Sequence, residues 1–156
     1  MTLPPPPPPQ PPIEVVFLRL KESQMKTKLD DDQRLSVPAA IFRYHFGIRI
    51  EPDVYAMASR LSPDYRGGYW EFYRTEQGAF FMVPAADGPF LVCSNNGYEG
   101  YMSAEAFGIT ACLYVYSHAT FTQVGKLLDS CANQFHLLRD YAKGHPEAMA
   151  IFEAID

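Results

Sequence analysis

The chain has 156 residues, 47% hydrophobic and 20% charged, a length that fits one domain and a composition that fits a packed core. Its 13 basic and 18 acidic residues give a formal net charge of −5, which excludes the basic face of a general nucleic-acid binder. The same count excludes DNA imitation, because duplex DNA carries one charge per ~1.7 Å and a ~30 Å mimic needs about twenty uncompensated acids.

Residues 1–12 contain eight prolines. Such a run lacks amide donors and favours an extended polyproline II rod, here a semi-rigid tail. Residues 13–33 open on an apolar patch, Ile13 to Leu20, that reads as a short strand or helix. The segment then turns charged and closes on Asp30-Asp31-Asp32, with four bases and five acids across the first 33 residues. That balance is no polybasic arm. Residues 1–33 are therefore expected to be tail and linker, and residues 34–156 the domain.

Ser36 and Pro38 suit a helix cap and an early helical position, with Gly47 stopping a segment from Pro38 to Phe46. A second short helix spans Asp53 to Leu61, capped by Asp53 and ended at Ser62-Pro63. Tyr69 to Arg74 reads as a strand with Trp70 and Phe72 on one face. Glu76-Gln77-Gly78 turns it into a partner, Ala79 to Val83. Beyond the break at Pro84 to Pro89 come a strand from Phe90 to Cys93, the turn Asn95-Asn96-Gly97, and a short strand from Tyr98 to Met102.

Ser103 caps the next helix, and Glu105 gives its first turn the charge the helix dipole favours. No Asp, Glu, Lys or Arg lies between Ala106 and Gly125, so this helix is expected to be buried on most sides. Val124, Leu127, Leu128, Cys131, Phe135 and Leu138 then recur at three and four, the pattern of an amphipathic helix that Gly144 ends. Pro146 opens a last short helix, Glu147 to Ile155. Strands grouped between helices predict an α+β domain: a small antiparallel sheet of three to four strands in a meander, packed with flanking N- and C-terminal helices.

A search for chemistry returns mostly absences. There is no G-x-S-x-G elbow, Walker loop, dinucleotide fingerprint or H-E-x-x-H pair. His45, His118, His136 and His145 lie far apart, none pairs with a cysteine at zinc spacing, and each is expected at a helix end or surface. Cys93, Cys112 and Cys131 lack C-x-x-C spacing and read as buried, reduced thiols of a cytoplasmic protein. Ser103 reads as a cap rather than a nucleophile. Gly67-Gly68 leads into a strand, so it is a turn and not a phosphate cradle. No Lys or Arg lies between Thr75 and Gly125, so the aromatics there read as packing rather than as a nucleic-acid platform. No secretory signal and no membrane-spanning run of ~18 apolar residues is present. No catalytic, metal or cofactor residue is assigned. The candidate contact surface is polar: Asn95, Asn96 and Glu99, with Asp140 near the last turn of its helix.

Several blocks nevertheless carry a resemblance. Tyr65-Arg66-Gly67-Gly68-Tyr69-Trp70-Glu71-Phe72-Tyr73 is similar to the Y-x-G-G-x-W-x-F-Y signature of the ArdB/KlcA antirestriction family. Gly78-Ala79-Phe80-Phe81-Met82-Val83-Pro84 follows at the family's spacing. Asn95-Asn96-Gly97-Tyr98-Glu99-Gly100 and Met102-Ser103-Ala104-Glu105-Ala106-Phe107-Gly108-Ile109 resemble its N-G-x-x-G and M-S-A-D-A-x-G-I blocks. Leu138-Arg139-Asp140-Tyr141-Ala142 and His145-Pro146-Glu147-Ala148 are similar to its closing helices. The resemblance runs in unbroken order over residues 34–156.

What it implies is a compact α+β fold and inhibition of host type I restriction-modification cleavage, to the benefit of plasmids and other mobile DNA. The implied route is neither catalysis nor DNA mimicry. The implied partner is the host restriction-modification system, with no cofactor, no stable DNA binding and no membrane. The reading that competes with it is a small enzyme or ligand-binding domain with an unrecognised site. Oligomeric state leaves no mark in the sequence.

Overall fold

The first element, β1 (Lys26–Lys28), is followed by α1 (Asp31–Phe42), a π-helical turn (Phe46–Ile50) and α2 (Glu51–Leu61). Four strands come next: β2 (Trp70–Thr75), β3 (Phe80–Pro84), β4 (Phe90–Cys93) and β5 (Glu99–Met102). Helices α3 (Ala104–Thr122), α4 (Gly125–Lys143) and α5 (Ala148–Ile155) complete the chain. The computed structural model describes residues 2–15 and 24–156. Residues 13–15 of the predicted apolar patch are helical, and the remainder of that patch lies outside the described residues.

The α+β class and the antiparallel pairing agree with the sequence. The strands divide, however, into a three-stranded sheet of order β1-β2-β3 and a separate β4-β5 ribbon. The missing member of the first sheet came from the expected linker: Lys26 pairs with Thr75 and Lys28 with Tyr73. All three β1 residues are exposed, so no apolar alternation marks them, and their lysines suit an open sheet edge.

Helix α1 also begins inside the expected linker. Asp30, not Ser36, is its cap: the Asp30 carboxylate accepts from the Gln33 amide at 2.8 Å, and the Gln33 side chain accepts from the Asp30 amide at 3.0 Å. Asp31 and Asp32 then occupy the first turn, where the dipole favours acids. Pro38 sits inside the helix rather than at its start. Gly47 does not stop a helix; it lies in the π-helical turn, which runs into α2 with no side-chain cap. Asp53 is consequently a first-turn acid, while Ser62 ends α2 as expected. The Arg34 guanidinium lies 3.9 Å from the Phe72 ring and donates to the Trp70 carbonyl at 2.7 Å, tying α1 to β2.

Helix α3 is the centre of the molecule. Its residues Ala106 to Leu113 are all buried, and Ser103 caps it as predicted, accepting from the Ala106 amide. It crosses β3 closely at Gly108. A Cβ there would overlap the Met82 carbonyl oxygen and stand 2.9 Å from the Val83 Cα, both backbone atoms that cannot swing aside. Beyond the crossing, the buried Tyr116 hydroxyl donates to the Phe80 carbonyl at 2.7 Å. Phe80 itself packs edge-on against Phe46 and Phe72, with ring centroids 5.6 and 5.5 Å apart.

Leu127, Cys131 and Leu138 of α4 face this core, whereas Val124 is 85% exposed just before the helix. Buried Gln134 does what no apolar residue could on that face. Its Oε1 accepts from the Phe80 amide at 2.8 Å and its Nε2 donates to the Gly78 carbonyl at 3.2 Å. Burial pushes the Cys112 thiol up to about 12 and the Cys131 thiol up to about 11, so both stay protonated. Cys93 departs from expectation, being exposed at the end of β4. Among the described residues no helix is long and apolar enough to cross a membrane.

Two stability predictions come from these contacts. Gly108→Ala is expected to cost about 3 kcal/mol through overpacking, although alanine is ordinarily the better helix former. Urea unfolding checks this, and a midpoint equal to the parent's contradicts it. Gln134→Leu keeps the apolar volume but strands the Phe80 N–H and Gly78 C=O, and is expected to cost about 2 kcal/mol in the same assay.

Candidate functional site

The β4-β5 ribbon has two unlike faces. Phe90, Val92 and Met102 point inward, with the Phe90 ring 4.7 Å from that of Phe107 on α3. Cys93, Glu99 and Tyr101 are exposed, and register places Cys93 opposite Glu99 and Leu91 opposite Tyr101. The turn between the strands depends on Gly97, whose φ of +93° is the left-handed region glycine adopts freely.

Three of the four predicted contact residues meet on this hairpin, in different roles. Asn96 is an anchor: its Nδ2 donates to the Glu153 carbonyl at 2.9 Å and the Ala154 carbonyl at 3.2 Å, and its Oδ1 accepts from the Tyr98 amide at 2.9 Å. It thereby satisfies end-of-helix carbonyls of α5, which the helix cannot bond itself. The Tyr114 hydroxyl also bonds the Ala154 carbonyl. Asn95 and Glu99 are exposed beside this anchor. Asp140 stands apart on α4, in a surface ion pair with Lys143 at 3.1 Å, worth only a few tenths of a kcal/mol by the usual ~0.3–0.5 for such pairs.

Just beyond β5 lies a polar cluster of which the sequence marks only the cap Ser103 and the first-turn acid Glu105. Glu147, at the entry to α5, accepts from both the Ser103 amide at 2.9 Å and the Ser103 hydroxyl. The Glu147 amide donates to His145 Nδ1 at 3.0 Å. His145 Nε2 faces Glu105 Oε2 at 2.8 Å, and the other Glu105 oxygen pairs with Lys26 of β1. Three distant segments are tied by this chain of contacts. His145 is buried and lies at a helix end, between α4 and α5, the first of the two positions expected for it. The only advance signal was that Ser103, Glu105, His145 and Glu147 all fall in the blocks carrying the family resemblance.

The cluster's chemistry is closed. With Nδ1 accepting from an amide, the neutral imidazole carries its proton on Nε2 and donates it to Glu105. Both ring nitrogens are occupied, so His145 is not placed to take a proton from Ser103. Burial pushes the His145 pKa down, with Lys26 acting the same way and Glu147 opposing. Burial also lowers that of Lys26, whose ammonium lies 5.4 Å from the Tyr73 ring centroid. Among the described residues no three His, Cys, Asp or Glu side chains are grouped closely enough to hold a metal ion.

A family described as antirestriction proteins matches residues 63–156. The uncharacterized protein YfjX of Escherichia coli K12 is 39% identical over 139 residues, spanning 83% of this chain and 86% of its own. Antirestriction protein KlcA of Escherichia coli is 36% identical over 126 residues, spanning 80% of this chain and 89% of its own. Among solved structures, one from the work on KlcA and ArdB matches with a TM-score of 0.76 at 36% identity, covering 85% of this chain and 94% of that one. KlcA and ArdB are described there as having a novel fold and antirestriction activity against type I DNA restriction systems in vivo but not in vitro.

The buried imidazole sets a pH dependence. As pH falls below the ordinary histidine value of 6.5, the unfolded chain binds a proton before the folded one does, so stability drops from there toward the lowered folded value. Above 6.5 this group contributes no slope. His145→Gln is expected to flatten that part of the profile, measured as unfolding midpoint against pH, and an unchanged slope in the variant contradicts the assignment.

Proposed function

The chain belongs to the antirestriction protein family, and from that premise we propose that it relieves type I restriction of incoming DNA by contact, without chemistry of its own and without imitating DNA. The observation that carries this reading is the likeness to the KlcA and ArdB structures, at 36% identity over most of both chains. Activity of those proteins in cells but not in vitro supports a route that needs a component the cell supplies. A direct block of the purified restriction enzyme would need nothing more than the two proteins.

Charge supports the same reading. The stretch from residue 75 to 125 holds four acids and no Lys or Arg. That repels phosphate weakly, yet is far too sparse to reproduce a duplex with a charge every ~1.7 Å. The exposed hairpin residues Asn95 and Glu99 are the proposed contact points, held in place by Asn96. Asp140 would belong to a separate patch.

The deciding experiment is plating efficiency of unmodified phage on a host with an active type I system, with and without expression of the chain. Expression is expected to raise plating by orders of magnitude, and equal plating overturns the reading. The variant Asn95→Ala with Glu99→Lys, at unchanged protein level, is expected to lose at least about tenfold of that relief, the size of a ~1.4 kcal/mol loss of binding. Full relief by this variant removes the hairpin from the contact surface while leaving the family function in place.

A further inference from the structure

Arg49, Asp53 and Arg60 recur at intervals of four and seven residues along the π-helical turn and α2, which sets them on one helical face. The facing side of α3 presents Val115, His118, Ala119 and Thr122, again at three and four. Between the two faces is a cavity of about 260 Å³. Its chemistry is divided. Alanines, Met57 and Val115 form apolar walls, whereas the arginines, His118 and Gln123 supply donors.

Neither Arg49 nor Arg60 takes part in a salt bridge among the described residues. In a chain with more acids than bases, two guanidinium groups thus line one cleft with a single carboxylate, Asp53, between them. Three exposed apolar residues are chain neighbours of the lining: Phe121 and Val124, each 85% exposed, adjoin Thr122 and Gln123, and Ile48, 69% exposed, adjoins Arg49. A concave site with apolar walls and a few convergent polar groups is the usual form of a small-ligand pocket.

We propose that this cleft binds a small organic phosphate, with Arg49 and Arg60 on the phosphate oxygens and the apolar walls on the ligand body. The planar guanidinium fork matches phosphate oxygens in pairs. A phosphate monoester offers three terminal oxygens and up to two charges, enough for two forks, where a carboxylate offers two oxygens and one charge. A cavity near the lower edge of the ~300–1,000 Å³ range of ligand pockets suits a compact ligand. Asp53 opposes the anion and sets an upper limit on affinity.

The test is a two-dimensional NMR titration of the purified chain with phenyl phosphate, inorganic phosphate and phenol. Phenyl phosphate is expected to give saturable shifts at amides of residues 49–60 and 115–123, inorganic phosphate weaker ones, and phenol none. Arg49→Gln and Arg60→Gln, both at exposed positions, are expected each to weaken phenyl phosphate by about tenfold, or ~1.4 kcal/mol. Asp53→Asn is expected to tighten it severalfold. Absence of saturable shifts, or unchanged affinity in the Arg49→Gln, Arg60→Gln double variant, overturns the site. Inorganic phosphate binding as tightly as phenyl phosphate overturns the role of the apolar walls. The readout is binding by the isolated chain, so it stands apart from the plating assay.

Discussion

The architecture depends on one missing methyl group. At Gly108 the backbone of α3 comes so near the Met82 carbonyl and the Val83 Cα that a side chain has no place to go. Glycine ordinarily weakens a helix interior by about 1 kcal/mol relative to alanine. Here that cost is offset by seating a helix with no Asp, Glu, Lys or Arg beyond its first turn directly on β3. Close seating lets Tyr116 reach the Phe80 carbonyl and brings Phe107 onto the ring of Phe90. The hairpin that bears Asn95 and Glu99 is therefore positioned by a contact some way along the same helix. A lost hairpin contact and a disturbed core would look alike in an activity assay, which is why protein level must be held constant.

Closure of polar groups is the second organising constraint. Strand β3 lies at the edge of its sheet, and an uncovered edge leaves amides and carbonyls without partners. Gln134 and Tyr116 supply those partners from two different helices, both through Phe80. The same economy governs Ser103, Glu105, His145 and Glu147. Each is a residue type that enzymes use, yet each has its donors or acceptors turned on another member of the cluster or the backbone. Partnered so completely, they fix the start of α3 against β1 and the entry to α5 instead of facing a substrate.

The sequence made the regular parts of this plan legible. Alternation gave Trp70 and Phe72 one face, Asn and Gly marked the turn at Gly97, and the three-four repeat placed Leu127, Cys131 and Leu138 in the core. What escaped did so for physical reasons. Strand β1 is held by backbone pairing and by the ion pairs of its lysines, so its exposed Lys-Thr-Lys carries no hydrophobic signal. Asp30 was hidden in an acidic run that reads as linker until the reciprocal bond with Gln33 is seen. A π-helical turn hides by using the same residues as an α-helix, which is how Gly47 came to be read as a stop. Gln134 falls on the apolar face at helical spacing, where pattern alone says only that a polar residue is misplaced. Asn95 and Asn96 look equivalent in sequence and are both exposed, and only the C-terminal helix makes Asn96 an anchor.

These constraints bear on how such a protein can act. Ser103, Glu105, His145 and Glu147 are engaged in holding segments together, and the first half of α3 is packed in the core. Among the outward features are a hairpin face with exposed Glu99 and Tyr101 and a cleft lined by two arginines. They differ in charge and lie on different elements, the one at the β4-β5 ribbon and the other between α2 and α3. A surface divided in this way suits recognition of two different chemistries better than one extended polyanion-like face. The formal charge of −5 is then a sum over regions of opposite character, an acid-bearing hairpin and an arginine-bearing cleft.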